Sequence, residues 1–385
     1  MERQDVVAGA RRVAERVAGR WADEVDDEAR FPRETIAELR STGLLGAMVP
    51  SPWGGPGASM EEVSGAVAAL SEQCASSGLV YAMHQIQVAS VLRHATAAAR
   101  DQLLPPIVRG DLLLANANSE VGLGGERRSS ICALTPAPGG FHIDKQASTV
   151  SYGEYADGVL ATARKSPDSP AHEQVMAICL PPTLELEPTG DWDTLGLRGT
   201  CSRPCRLVAD IPAAMVIDDY ASVFTRTSLP ASAVLLSSVW LGIAEAAAKR
   251  AHASVRASGR AAMSASPSGG PPTSALRLAE LGVLLHQLRE VLAGGARSYD
   301  CLKDTPDVET LQFSSRMDNL KLSSSTLVLS VVQGAMAICG LTGYRNHSPA
   351  SMARLYRDAA AAPLMVNNDR ALQAMAQTLL IRKVL

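Results

Sequence analysis

The residue types best suited to chemistry stand in one run, Trp192-Asp193-Thr194-Leu195-Gly196-Leu197-Arg198-Gly199-Thr200-Cys201-Ser202. Its glycines let the backbone come close to another group. Arg198, Thr200 and Ser202 bring a guanidinium and two hydroxyls, donors aimed at something polar. A second stretch, Ala117-Asn118-Ser119-Glu120-Val121-Gly122-Leu123-Gly124-Gly125, has the same character. Glycine-rich turns expose successive N–H groups and form concavities that hold anions. Arg127 and Arg128 follow it and suit a bidentate contact with a phosphate; a solvated pair is an equally good reading. A third stretch, Lys145 to Asp157, supplies hydroxyls at Ser148, Thr149 and Ser151. His84 lies on an apolar segment, Tyr81-Ala82-Met83-His84-Gln85, where a satisfied buried histidine is the weightier reading and a substrate contact the other.

These stretches need elements to position them. Residues 1–112 read as an α-helical domain. Val6, Val7, Ala10, Val13, Val17 and Trp21 recur at helix spacing. A second helix, Glu34–Ser41, ends at Gly43, a loop covers 49–59, and Ser59 with Glu61 and Glu62 restarts a helix. Further helices fit 78–92 and 96–108. Residues 113–222 change character: β-branched residues, Pro and Gly rise, and short strands fit 130–135, 140–144, 147–152, 158–164, 174–180, 184–188 and 204–210. That reads as a compact antiparallel β-domain. Residues 223–385 return to long helices, from Pro230 to about Ser258, then 273–299, 307–340, 349–362 and 369–383, with a break at Ala265–Pro272. Long antiparallel helices imply a bundle. The fold class is α+β.

Composition narrows the function. The chain has 385 residues, enough for two or three domains, and 46% of them are hydrophobic. A net charge of −3 with no basic run offers no field for nucleic acid. Seven irregularly spaced cysteines complete no zinc pattern and read as reduced thiols of a cytoplasmic protein. No metal is expected. No apolar run reaches the roughly 18 residues of a membrane span.

The order helices, β-domain, helical bundle, together with these motifs, resembles the acyl-CoA dehydrogenase family over nearly the whole chain. The run from Trp192 to Ser202, a tryptophan, a short spacer, Leu-Gly-Leu-Arg-Gly-Thr and then a serine, closely resembles the signature in that family's middle β-domain. Asn118-Ser119-Glu120 with Gly124 and Gly125 is similar to its Thr-Glu-Pro-x-x-Gly-Ser-Asp loop, which lines the flavin ring and pyrophosphate. By that resemblance Ser119 faces the isoalloxazine, Gly125 replaces a serine, Ser148 and Thr149 lie beside the flavin, and Glu120 is structural. Phe31-Pro32, Gly43-Leu44 and Gly54-Gly55 match the N-terminal pattern. Gly340-Leu341-Thr342-Gly343-Tyr344 resembles the turn that meets FAD of a neighbouring subunit, and Arg357-Asp358 resembles a mainly architectural pair. The resemblance implies FAD, with FMN as the alternative.

The resemblance breaks at the catalytic base. The family removes a proton α to a thioester with a Glu, since so weak an acid needs a positioned carboxylate. That position holds Val366, and Asn367-Asn368 replace the following Gly-Thr. The other family position falls on Ser232 or Ala233, and no Asp or Glu occurs from Ala221 to Leu241. Asp369 is the carboxylate left to consider. The Arg-x-x-Phe-Gly element after the first bundle helix is also missing, a trait similar to the flavin-dependent monooxygenase branch. The resemblance implies a flavin-dependent oxidoreductase acting on a CoA- or carrier-bound acyl thioester with a non-standard base, the alternatives being a monooxygenase using reduced flavin and O2 and a non-catalytic member. Expected partners are a second copy in a homodimer or homotetramer, through Leu235–Ala248 or Leu327–Ile338, and an electron-transfer flavoprotein or flavin reductase.

Overall fold

The computed structural model describes residues 5–124, 126, 128–265 and 273–381. Gly125, Arg127 and most of the expected break at Ala265–Pro272 fall outside the described residues.

The first domain is helical. Asp5 caps α1 (Val6–Val13) by accepting from the Ala8 N–H. A π-helical stretch, Ala14–Ala18, joins it to α2 (Gly19–Asp27), and α3 (Arg33–Ser41) follows. Gly43 at φ +71° turns the chain out of that helix, a conformation that favours glycine. Ser59 and Glu62 form a full capping box at the start of α4 (Met60–Gln73), so the signal at Ser59 marks a true helix start. Next come α5 (Ala75–His94) and α6 (Ala97–Arg109).

The middle domain is two stacked four-stranded sheets. One has the order β1 (Leu114–Ala117), β4 (Gly158–Arg164), β5 (Gln174–Cys179), β8 (Val216–Ile217). The other has the order β2 (Thr135–Ala137), β3 (Gly140–Ala147), β7 (Cys205–Pro212), β6 (Glu185–Pro188). Burial alternates along β7, as in a strand with one face on a core, whereas β5 is buried throughout. Two expectations are corrected. The domain is not wholly antiparallel, because β1 pairs with β4 in parallel, Leu114 opposite Gly158. Residues 148–152 are not a strand: Tyr152 sits at φ +45°, and the segment turns away to meet the Trp192–Ser202 loop.

The third domain starts with α7 (Tyr220–Val223) and a π-helical stretch, Phe224–Ser228. It continues through α8 (Leu229–Ala265), α9 (Thr273–Leu302), α10 (Leu311–Tyr344), α11 (Ala353–Ala360) and α12 (Asn368–Ile381). The first of these long helices, α8, is the hub and packs on α4, α5, α9 and α10. Gly242 makes the α4 contact possible: a Cβ there would meet the Ala68 carbonyl at 2.5 Å and Ser71 Cβ at 2.6 Å.

Two sequence expectations about apolar segments change. Both α8 with its preceding turn and α10 are long and apolar enough to cross a membrane by length and composition. The first is mostly buried in the chain's own bundle; the second is mostly not. For the same reason Leu235–Ala248 is no free surface: Leu235, Leu236, Val239, Trp240, Ile243, Ala244 and Ala247 are buried within the chain.

Candidate functional site

The glycine-rich loop leaves the end of β1. Ser119 Oγ donates to the Thr149 carbonyl (3.0 Å) and accepts the Thr149 N–H (3.1 Å), lacing the loop to the segment after β3. Glu120, 5% exposed, accepts from Ser130 Oγ (2.8 Å), Ile131 N–H (3.1 Å), Cys132 N–H (2.5 Å) and Lys145 Nζ (3.4 Å). Lys145 is fully buried, also donates to the Thr162 carbonyl (2.6 Å), and burial holds its pKa below the usual lysine value. Glu120 is therefore structural, as the sequence implied, and it fixes both ends of the loop 120–132. Ser148 is exposed at its edge.

The Trp192–Ser202 run is laced to the same 149–152 segment. Leu197 (φ +54°) and Cys201 (φ +45°) adopt left-handed backbone and bracket a 3-10 turn, Arg198–Thr200. Thr200 Oγ1 donates to the Leu197 carbonyl (2.8 Å) and touches Ser202 Oγ (2.8 Å), which reaches Ser151 Oγ (2.9 Å). Trp192 Nε1 donates to the same carbonyl (3.4 Å). These hydroxyls find partners inside the protein and tie the loop to 149–152.

The run also docks on the bundle. A Cβ at Gly196 would stand 2.2 Å from the Arg357 carbonyl, so only glycine allows this approach. The Leu197 N–H donates to Asp358 Oδ1 (2.7 Å). Arg357 pairs with Asp26, and Arg354 pairs with Asp23 (3.2 Å) and donates to the Gln73 carbonyl (3.1 Å). The Arg357-Asp358 motif is architectural. Burial, opposed by Arg354, raises the Asp358 carboxyl to about 6.

The turn between α11 and α12 carries the positions at which the resemblance puts a base. Val366 sits there at φ +49°, a conformation that costs a β-branched residue, and it persists because both flanks are fixed. Asn368, at the start of α12, accepts from Lys321 Nζ and exchanges hydrogen bonds with Ser325 Oγ (3.1 and 3.2 Å). Lys321 is 3% exposed and stands 5.9 Å from the Trp240 ring centroid. Asn367 Oδ1 accepts the Asp369 N–H (2.8 Å), and Asp369 is exposed. On α8, Ala233 is buried and Ser232 half-buried. Arg370 donates to the Gly124 carbonyl, closing the ring between α12 and the glycine-rich loop.

Hydrogen bonds thus join Ser119 to Thr149, Trp192 and Thr200 to the Leu197 carbonyl, Thr200 to Ser202, and Gly124 to Arg370 of α12, the helix that Asn368 begins, while Asn118 and Arg198 lie in the same two loops. The structure does not bring Gly340 and Gly343 to these loops. They lie roughly four turns beyond Ser325 along α10, where Gly340 breaks the helix at φ +58°. Arg128 is exposed beside Glu126. Lys321 and Arg370 went unnoticed in the sequence; a lone lysine among small and apolar residues was the available signal for the first, and no local signal marks the second.

His84 is the satisfied buried histidine of its two readings, and the substrate contact is corrected. It is fully buried, Nδ1 accepts the Leu114 N–H (3.0 Å) and Nε2 faces the Leu45 carbonyl (3.0 Å). That carbonyl only accepts, so Nε2 carries the proton and no ring nitrogen remains for a substrate. Burial lowers its pKa from 6.5 to about 4. A depressed histidine pKa means that the unfolded chain binds the proton first. The stability held at pH 7 is therefore lost as pH falls from about 6.5 to 4. At 1.36 kcal/mol per unit that amounts to about 3 kcal/mol. Urea unfolding of wild type and His84→Asn across this window should show the wild-type acid slope reduced in the variant. Parallel curves would contradict the assignment.

Two atoms test the fit of a flavin. Asn118 Oδ1 and Arg198 Nε are buried without a hydrogen-bond partner. An acceptor and a donor of this kind match the ring N–H and the carbonyl or phosphate oxygens of a flavin nucleotide, and the left-handed Gly122 and Gly124 (φ +92° and +53°) suit a phosphate. The residues present fit the group.

Comparison with known proteins agrees. The family model "Acyl-CoA dehydrogenase, N-terminal domain" matches residues 1–111, and "Acyl-CoA dehydrogenase, C-terminal domain" matches 234–367. The chain is 24% identical over 350 residues to probable acyl-CoA dehydrogenase YngJ of Bacillus subtilis, covering 88% of this chain and 87% of that one. It is also 24% identical over 361 residues to the amino sugar nitrososynthase DnmZ of Streptomyces peucetius, covering 88% and 84%. Among solved structures, FMN-bound TdsC from Paenibacillus sp. A11-2 superposes with a TM-score of 0.83 at 22% identity, covering 96% of each chain. Butyryl-CoA dehydrogenase from Megasphaera elsdenii superposes with the same TM-score at 21% identity, covering 98% of each. Motifs, architecture and both domain models coincide: the chain belongs to the acyl-CoA dehydrogenase family of flavoprotein oxidoreductases.

Proposed function

We propose that the protein is a flavin-dependent monooxygenase built on this fold, not an α,β-dehydrogenase. One observation carries the reading: at Val366, and at Ser232 and Ala233, no carboxylate stands where proton abstraction from a thioester needs one. The likeness to a nitrososynthase and to a dibenzothiophene monooxygenase fold supports it. A bound reduced flavin, FAD or alternatively FMN, would supply the activation of O2. The chain's own residues bind and shield it. Asn118 Oδ1 would accept from the flavin and Arg198 Nε would donate to it, Ser119 and Thr149 hold the loop in register, and Val366 presents an apolar surface that neither takes nor gives a proton. Reduced flavin comes from a flavin reductase. The mostly uncovered face of α10 around Leu327–Ile338 mates with a second copy, in a homodimer or homotetramer. Seven free cysteines suit a cytoplasmic setting.

A second reading, dehydrogenation of a CoA- or carrier-bound thioester with electron-transfer flavoprotein as acceptor, is favoured by the acyl-CoA dehydrogenase relatives. It requires Asp369 to act as the base.

Absorbance spectroscopy separates the two. Purified protein given flavin, NADH and a flavin reductase is expected to bind the reduced flavin and to reoxidise it with O2. Anaerobic butyryl-CoA is expected to leave the oxidised flavin spectrum unchanged. Bleaching by butyryl-CoA would overturn the monooxygenase reading.

A further inference from the structure

The glycine-rich loop has a neighbour that its resemblance does not supply. Arg370, in the first turn of α12, donates to the Gly124 carbonyl, and Nη2 stands 3.7 Å from the point where a Gly124 Cβ would be. No carboxylate pairs with Arg370 among the described residues. One bond to a carbonyl leaves most of a guanidinium's five N–H donors uncommitted. Beside it, the N–H groups of Gly122 and Gly124 take no backbone partner among the described residues, and both glycines are left-handed. A forked cation next to unpaired N–H groups on a two-glycine turn is the donor set of a phosphate site. A Cβ at Gly124 would lie in ordinary contact with that guanidinium, so the turn and the arginine stand side by side.

We propose that Arg370 is the cationic ligand of the flavin phosphate, reaching across from α12 to the 122–124 turn. The inference rests on the flavin-binding reading above. It gives α12 a role in cofactor capture: bound phosphate replaces the Gly124 carbonyl as the partner of Arg370, or shares it, and clamps the helix onto the loop.

The test compares ligands that differ only in the phosphate. Binding of FMN, FAD and riboflavin to wild type, Arg370→Ala and Arg370→Lys is measured by flavin fluorescence, with folding checked by circular dichroism. A charge-assisted contact is expected to cost Arg370→Ala about 10- to 100-fold in FMN and FAD affinity. Riboflavin affinity should stay within about twofold, and Arg370→Lys should recover part of the loss. Equal losses for all three ligands would make Arg370 a structural tie and overturn the proposal, as would unchanged FMN and FAD binding. If wild type binds none of the three, the flavin-binding reading falls and takes this inference with it. If wild type binds all three and only the variant behaves otherwise than stated, this inference alone falls.

Discussion

Replacing Glu120 with alanine is expected to cost about 3–5 kcal/mol of folding stability, the range for breaking a buried ion pair from one side. The magnitude follows from what is left behind. Lys145 has no exposed surface and would keep only Thr162 as a partner, while the Ile131 and Cys132 N–H groups and the Ser130 hydroxyl would lose their acceptor. Glu120→Gln should cost less, because its one carbonyl oxygen still accepts from one of the two N–H groups, which the two carboxylate oxygens of Glu120 serve separately. Lys145→Met should also cost less than Glu120→Ala, since it removes the buried cation itself. Chemical denaturation of the three variants checks the order. A loss for Glu120→Ala within the roughly 0.5 kcal/mol of an ordinary surface change would show that the clamp is unimportant. Because the clamp spans the loop that carries Ser119 and Gly124, the alanine variant should also lose flavin before it unfolds.

The second large effect is on chemistry. Wild-type protein should turn over saturated acyl-CoA substrates at least 10²- to 10⁴-fold more slowly than a relative with its base in place, the usual contribution of a general base. Val366→Glu is the direct probe. Val366 is left-handed, on a turn pinned at one end by Asp358 on the Leu197 N–H and at the other by Asn368 between Lys321 and Ser325. A glutamate there should gain measurable butyryl-CoA oxidation if the cavity admits a thioester. Butyryl-CoA turnover by wild type near the median enzyme rate of about 10 s⁻¹ would refute the monooxygenase reading. Loss of that turnover in Asp369→Asn would then identify the base.

How much of this was legible follows from where each signal resides. Helix starts with short-range chemistry could be read, as at Ser59 and Glu62, whose capping box lies within four residues. The strand Leu114–Ala117 could not, since it is four residues long, shows no alternation, and owes its strand state to parallel pairing with Gly158–Ala161. Residues 147–152 looked like strand because β-branched and hydroxyl residues cluster there. Their hydroxyls and backbone instead serve the 200–203 loop, a long-range demand that propensity does not encode. In the site, residue types were readable and partnerships were not. Ser119 with Thr149 spans 30 residues, Lys321 with Asn368 spans 47, and Arg370 with Gly124 spans 246. His84 kept two readings because polarity on an apolar helix signals either a ligand contact or a satisfied core group, and the backbone groups of Leu45 and Leu114 that decide it belong to other elements.

The Asp358 contact has a consequence for how the molecule comes apart. Leu197 belongs to the β-domain, Asp358 to the bundle, and the arginines beside Asp358 are held by Asp23 and Asp26 of the first domain. Parting the β-domain from the bundle leaves the buried Asp358 without its Leu197 partner, and parting the first domain from the bundle leaves Arg354 and Arg357 without theirs, so the opening of either is coupled to the bundle. The Leu197 amide proton is the reporter of that coupling. In hydrogen exchange it should rank with the slowest strand protons of β5, although it sits in an irregular loop, because it becomes free only when the β-domain and the bundle part.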